Sequence, residues 1–559
     1  MASKTLREVI TSFAYDATEK IAAETEIHGD ETMYGGYPAY KDDSKMAKGA
    51  LINSVVHLAV SRYKNGDGRY KHDLERINLF AKMFLGDTVA TWGKRLLLSG
   101  LCVLYDAGLY GELSQETTEI FENVSDYSDF LDKETVTIKP PLPTNYYHVA
   151  LACALYREKL GMENDGMSEK LLSKLLSIME NCSSEGWADE APGFGRFDSY
   201  SVESVCETIA PLRETGKEIP DVLVNSMKKS VRLCLALANG KGHGFMYGRS
   251  LAYHGDAAPL HVLCDGLEMG LVPEKDIPTA VGYIINTVKK VTEFWYDERV
   301  GAINLWLFGR ATNGYRNITR FFEVNNCANE TLMRALAVAE KMGFADYPVE
   351  YTEVGYTDKW EYTETVFDKS ENYIRSLFIL KRQGRVFGLP FICMGSARKS
   401  ASYNTFPASA SFIETPPEVE LDFLTPRYEL CDGRILIPTN FWEETKVEAS
   451  DDRVRILAKG SMTDMSAPGG LPVKSDKRFT VNFEFCGDKI RVLYNAENCD
   501  VKSVYMMYCG KAKVHGIGFE CENSFDATDK KYDMWHGNAG KGIEFYGKDS
   551  DAGYEINLL

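Results

Sequence analysis

The apolar residues of this chain keep one period as far as about residue 345 and another from about residue 350 onward, and no other feature limits the fold so strongly. In the first part, "KGALINSVVHLAVSRY", "GKRLLLSGLCVLYDAGL", "YYHVALACALYREKLGM" and "IPTAVGYIINTVKKVTEFWY" return apolar residues at i, i+3, i+4 and i+7, the spacing of a helix with a buried stripe. Several of these runs stop at Gly close to Lys or Arg, as helix C-termini do. About a dozen such helices in succession predict antiparallel pairs stacked into a ring or solenoid. In the second part, "DRVRILAKGSM", "KRFTVNFEFCGDKIRVLYNAE" and "VKSVYMMYCGKAKVHGIGFECE" are short β-branched and aromatic runs broken by Gly, Asn and Asp turns. The expectation is a multidomain chain: an (α/α) toroid over residues 1–345, the candidate catalytic domain, followed by an antiparallel β-sandwich over 350–559.

Length agrees with this, since 559 residues exceed the roughly 250–300 at which single cores stop growing. A formal net charge of −18 repels phosphate backbones and anionic lipid, so neither nucleic acid nor a membrane surface is expected as partner. No apolar run reaches the roughly 18 residues of a membrane span. The opening "MASKTLREVITSFAYDATEK" mixes charge into a helical period and does not read as a secretory leader. The thirteen cysteines form no CxxC, and Cys206, Cys234 and Cys264 fall among apolar helical positions as buried thiols. A cytoplasmic, reducing compartment is expected. The nine histidines are dispersed, and GxxxxGK[ST], HExxH and GxSxG are missing, so no metal or cofactor is expected.

Four loop-to-helix junctions concentrate polar and aromatic groups, and in a helical array such junctions are where function sits. In "KPPLPTNYYHVALACAL", Thr144 or Asn145 can cap the helix, and Asn145 and His148 share a face at its first turn. An amide and an imidazole at a helix N-terminus suit a carboxylate ligand. In "SSEGWADEAPGFGRFDSYSVESV", Glu185, Asp189, Glu190, Asp198 and Glu203 cluster around Trp187, Phe197 and Tyr200. Aromatic rings stack on apolar sugar faces, and carboxylates bond hydroxyls or act as general acid and base. In "GFMYGRSLAYHGDAAPLHVL", a helix starting near Ser250 would carry His254 one turn on, with Tyr247 and Arg249 in its approach and Tyr253 beside His254. Tyr and His carry protons, and Arg clamps carboxylates with two parallel bonds. The fourth, "NLWLFGRATNGYRNITRFFEVNNCANETLM", adds Trp306, Arg310, Tyr315, Arg316 and Asn325 as substrate-binding candidates. Each group has a structural alternative as a cap, a core residue or a solvated surface.

The motifs "PTNYYHVALACAL", "GRFDSYS", "MYGRSLAYHGDAAPLHVL" and "ARKSASYNTFPASASF", in that order, resemble the marks of the bacterial family named domain of unknown function 2264. The resemblance covers about residues 140–450, with GRS(L)xY its most specific element. The layout is also similar to heparinase II/III-type polysaccharide lyases, with a toroid and a sandwich, and to (α/α) toroid glycoside hydrolases. The chain departs from the family at His148, where an aromatic is usual, and at His254, where Arg is usual. The resemblance implies a carbohydrate-active enzyme cleaving a uronic-acid-containing oligo- or polysaccharide. For β-elimination, Asn145, His148 and Arg249 would neutralise the uronate carboxylate, and Tyr253, His254 or Tyr247 would take the C5 proton. The alternatives are a β-glucuronidase-like hydrolase using Asp189 and Asp198 as paired carboxylates, and a non-catalytic glycan-binding protein.

Overall fold

The computed structural model describes residues 3–41, 46–85, 91–139, 145–182, 199–238, 242, 244, 253–304 and 320–350 of the helical part. In the strand part it describes 364–369, 373–382, 385–394, 402–403, 425–450, 453–464, 473–487, 489–508, 513–526 and 541–557. Helices α1 (Leu6–Ile10) and α2 (Asp16–His28) run together through a π-turn at Thr11–Tyr15. They are followed by α3 (Ala47–Lys64), α4 (Tyr70–Ala81), α5 (Thr91–Asp106), α6 (Gln115–Val124), α7 (Asn145–Lys159) and α8 (Met167–Cys182). Next come α9 (Ser199–Glu214), α10 (Asp221–Leu237), α11 (Tyr253–Glu268), α12 (Ile277–Glu293) and α13 (Phe321–Met342).

From α3 to α13 each odd-numbered helix packs on the next odd one, and α13 packs back on α3, so these helices close a ring. The even-numbered helices stand outside it: α4 on α3, α8 on α7, α10 between α9 and α11, and α12 on α11. This is an (α/α) toroid. The sequence explains the sorting. In α7 every residue from Tyr147 to Arg157 is buried, and a helix buried on all sides belongs inside. The outer α8 buries one stripe, Leu171, Leu175 and Met179, at four-residue spacing. The approach of α3 to α5 is set by glycine, since a Cβ on Gly49 would lie 2.2 Å from the carbonyl oxygen of Gly93.

Short hairpins precede three of the inner helices: β1 (Met33–Tyr34) with β2 (Tyr37–Pro38), β3 (Leu131–Asp132) with β4 (Thr137–Ile138), and β5 (Tyr296–Asp297) with β6 (Ala302–Ile303). At the other end of the ring the first residues meet the last ones. Leu6 N–H donates to Tyr347 O and Arg7 N–H to Ala345 O, each at 2.9 Å, while Val349 N–H donates to Lys4 O at 2.9 Å. Thr5 caps α1 through a box with Glu8 and bridges to Pro348.

The strand part begins with β7 (Glu364–Lys369), β8 (Tyr373–Arg382), β9 (Arg385–Met394), β10 (Ser402–Tyr403), β11 (Arg427–Leu430), β12 (Ile435–Ala449) and β13 (Arg453–Asp464). It continues with β14 (Val473–Cys486), β15 (Lys489–Glu497), β16 (Val501–Tyr508), β17 (Lys513–Ile517), β18 (Cys521–Asp526), β19 (Lys541–Gly547) and β20 (Asp551–Asn557). Neighbouring strands are antiparallel, apart from one parallel bridge between Phe441 of β12 and Val386 of β9. The start of β12 pairs with β11, and past a register shift between Ile437 and Phe441 the strand bridges to β9. A long strand that changes partner at a bulge turns the corner of a sandwich. Alternate residues fill its core, as Phe479, Val481, Phe483 and Phe485 do in β14, and Ile490, Val492 and Tyr494 in β15. Among the described residues no helix is long and apolar enough to cross a membrane.

Candidate functional site

A cavity of about 630 Å³ lies inside the ring, lined by residues of its inner helices α5, α7, α9, α11 and α13. That is the size of a pocket for a small ligand. The first turns of α5 and α7 contribute Trp92, Arg95, Asn145 and Tyr146, and α9 contributes Tyr200, Glu203 and Glu207. From α11 come Tyr253, His254 and His261, and from α13 and its approach come Arg320, Glu323, Glu330 and Arg334. The sequence places these groups by stripes. Tyr200, Glu203 and Glu207 are three and four residues apart, so they share one face of α9, and that face looks inward.

Most of the charges are paired. Glu203 Oε1 and His261 Nδ1 are 2.5 Å apart, and His261 Nε2 lies 3.0 Å from Thr331 Oγ1. Thr331 Oγ1 is in turn 2.6 Å from the Tyr253 hydroxyl, which donates to Cys327 O at 2.9 Å. Arg320 and Glu323 form a forked pair at 2.5 Å. Arg334 is bonded to Asp265, which Arg213 also reaches at 3.1 Å. Arg95 stands 5.5 Å from the ring centre of Trp92. Burial alone would lower its pKa, but Glu207 and Glu330 prevail and hold it above the usual guanidinium value. Glu207 moves the other way: burial, partly offset by Arg95 and reinforced by Glu203 and Glu330, raises its carboxyl to about 8.

Of the residues singled out in the sequence, Asn145, Tyr200, Glu203, Tyr253 and His254 come together on this cavity. Asn145 is only 6% exposed, and its Oδ1 has no hydrogen-bond partner among the described residues. Helix α11 is described from Tyr253 onward, and Ser250 lies outside the described residues. The rings of Tyr253 and His254 meet edge to face, with centres 5.1 Å apart. Burial, with Cys327 nearby, holds the Tyr253 phenol well above its usual range even though the Thr331 bond acts against this, which makes it a poor base.

His148 does not line the cavity. It points into the core, where Nδ1 meets Thr208 Oγ1, and burial followed by the charge of Arg95 pushes its pKa down to about 3. Position 148 is one turn from Asn145 but on a helix buried all round, so a shared face did not make it a shared site. Asn325 is structural as well: its Oδ1 accepts from Ile303 N–H at 2.7 Å, and its Nδ2 donates to Ile303 O and Phe321 O. That clamp ties the β5–β6 hairpin to α13. Trp187, Asp189, Phe197, Asp198, Tyr247, Arg249, Trp306, Arg310, Tyr315 and Arg316 lie outside the described residues.

Sequence reasoning passed over Arg95, Glu207, His261, Glu323 and Glu330, which all face the cavity. The available signal was a polar stripe within an apolar helix, as in α13, where Glu323, Glu330 and Arg334 recur at helical spacing. Among the described residues no group of three His, Cys, Asp or Glu is placed to hold a metal ion.

No protein-family model and no curated protein matches the chain, so the resemblance to domain of unknown function 2264 stands on the quoted motifs alone. Among solved structures, it is similar to a chondroitin AC lyase of Streptomyces coelicolor A3 in complex with chondroitin sulphate. That match has 11% identity and a TM-score of 0.43, over 99% of this chain and 82% of that one. A glycosyl hydrolase family 88 protein from Bacteroides vulgatus matches at 10% identity and a TM-score of 0.38, over 61% of this chain and 100% of that one. A heparan sulfate lyase HepC mutant from Pedobacter heparinus matches at 8% identity and a TM-score of 0.28, over 97% and 82%. Identities this low tie the chain to none of those activities.

Proposed function

We propose that this chain is a carbohydrate-active enzyme that binds a uronate-containing oligosaccharide in the toroid cavity and cleaves it by β-elimination. In this reading residues 1–345 form the catalytic domain and 350–559 a sandwich domain. The observation that carries the reading is that Asn145 of α7 and His254 of α11 open on the same aromatic-lined cavity. A carboxamide matches a protonated carboxyl group: Nδ2 donates to its carbonyl oxygen, and Oδ1, which lacks a partner, accepts its O–H. Holding the uronate in that neutral form acidifies the C5 proton. His254 is the base within the cavity, since the Tyr253 hydroxyl is engaged by Thr331 and Cys327. Trp92, Tyr146 and Tyr200 supply rings for the sugar faces.

Hydrolysis is the second reading, favoured by the carboxyls of Glu203, Glu207 and Glu330 lining the same cavity. Incubation with a panel of uronate oligosaccharides separates the readings. Elimination yields an ultraviolet-absorbing unsaturated uronate, and hydrolysis yields saturated reducing ends alone. Tight binding of an intact oligosaccharide with neither product would show a glycan-binding protein and overturn both. For elimination, His254→Ala and Asn145→Ala should each lower kcat/KM by about 10²-fold or more, with Tyr253→Phe much milder.

A further inference from the structure

Once the pairings around the cavity are assigned, three charged groups remain. Glu203 is bonded to His261, Glu323 to Arg320, Arg334 to Asp265, and Asp129 to Lys94 at 2.8 Å. Glu207, Glu330 and Arg95 have no such mate among the described residues, so two carboxyls share one guanidinium. Glu207 Oε2 and Arg95 Nε are both shut off from solvent without a hydrogen-bond partner. In the same cavity Asn145 is buried with its Oδ1 unpartnered, which marks the place as one that expects a polar ligand.

We propose that Glu207 donates the proton to the departing sugar oxygen, and that Arg95 steadies the carboxylate left behind. The proposal rests on the cleavage reading and holds for either chemistry. As the scissile C–O bond breaks, its electron pair goes to oxygen, which takes the Glu207 proton and leaves as an alcohol. In elimination the C5–H electrons form the C4–C5 double bond, and that proton passes to His254. In hydrolysis a water oxygen bonds the carbon, and its released proton goes to a carboxylate. A group raised to about 8 keeps its proton at neutral pH, which an ordinary glutamate does not. Glu207 is also one helical turn from Glu203, so the acid and the Glu203–His261 pair lie along the same wall.

The test compares two leaving groups at the scissile position, the natural sugar and 2,4-dinitrophenol, which departs without a proton. The dinitrophenoxy group is placed on the anomeric carbon for hydrolysis and on C4 of the uronate for elimination. Glu207→Gln in the full chain should lose about 10²-fold or more in kcat/KM on the sugar and stay within about tenfold on the dinitrophenyl substrate. The alkaline limb of the wild-type pH profile on the sugar should vanish with the dinitrophenyl substrate. Equal losses on both substrates would give Glu207 a merely structural or positioning role, and equal retention would remove it from the reaction. Either overturns the proposal while wild-type turnover upholds cleavage. A wild-type protein that releases neither leaving group overturns the cleavage reading and this proposal with it.

Discussion

Replacing Asp256 by Asn should destabilise the helical part by about 3–4 kcal/mol through one identifiable interaction, the loss of a buried salt bridge. Asp256 is completely buried, and its Oδ2 lies 2.6 Å from Lys290 Nζ, itself 5% exposed. The same carboxylate accepts from Trp295 Nε1 at 2.8 Å and from Gly244 N–H at 3.0 Å. Asn keeps the shape and one accepting oxygen, so the two neutral bonds are partly retained while the ion pair is lost. Breaking one side of a buried pair costs about 3–5 kcal/mol. The rings of Phe294 and Trp295, 5.9 and 5.6 Å from the ammonium, favour the lower end of that range. With about 2.1 cal/mol/K of unfolding entropy per residue, a toroid of this size should lose about 4–6 °C in Tm. Thermal unfolding followed by tryptophan fluorescence measures the shift. Lys290→Met should be comparably costly, and the double variant should cost clearly less than the two single penalties added together. A Tm within about 1 °C of wild type for Asp256→Asn, or strict additivity in the double variant, would refute the reasoning.

The remaining predictions concern packing and protons. Gly49→Ala drives a methyl group against the Gly93 carbonyl, so α3 and α5 must separate; denaturant unfolding should show a loss of about 1–3 kcal/mol. His148 is held neutral with a pKa near 3 against about 6.5 when unfolded, so the unfolded chain binds the extra proton between those values. Stability should therefore fall as pH drops below about 6.5, by about 2 kcal/mol at pH 5, and His148→Gln should remove that part of the slope. Glu207 has the opposite sign. Its folded pKa of about 8 lies above the unfolded value, so the fold loses stability as pH rises towards 8, and Glu207→Gln should gain on wild type over that interval in pH-dependent melting.

The two periods of the sequence carried the fold class, because inner helices such as α7 and alternating strands such as β14 obey simple burial rules. Ring closure was less legible. It depends on α13 meeting α3, a contact between segments far apart in the chain that no local pattern reports. The site was legible in part. Junction reasoning reached Asn145, Tyr200, Glu203, Tyr253 and His254, yet it also picked Asn325, whose amide is spent on Ile303 of the β5–β6 hairpin and on Phe321 of its own helix. The polar crowding of 247–256 likewise has a structural share: Asp256 is a buried anchor for Lys290, Trp295 and Gly244. Glu207 and Glu330 were missed because a polar stripe on a helix looks the same in sequence whether it faces solvent or the lumen of a ring.

The pairing of residues 4–7 with 345–349 gives the toroid a seam. An open solenoid can fray from its terminal repeats, whereas a ring shut by α13 on α3 and by this seam has no terminal repeat to lose. Loosening the Thr5 cap or the backbone bonds of Leu6 and Arg7 would open the seam, freeing α13 from one of its flanking supports. That helix carries Glu323, Glu330 and Arg334, so damage at the first turn of the chain should be felt in the cavity lining. The strength of this short junction, together with the contact of α13 on α3, thus sets whether the ring melts as one unit or unzips.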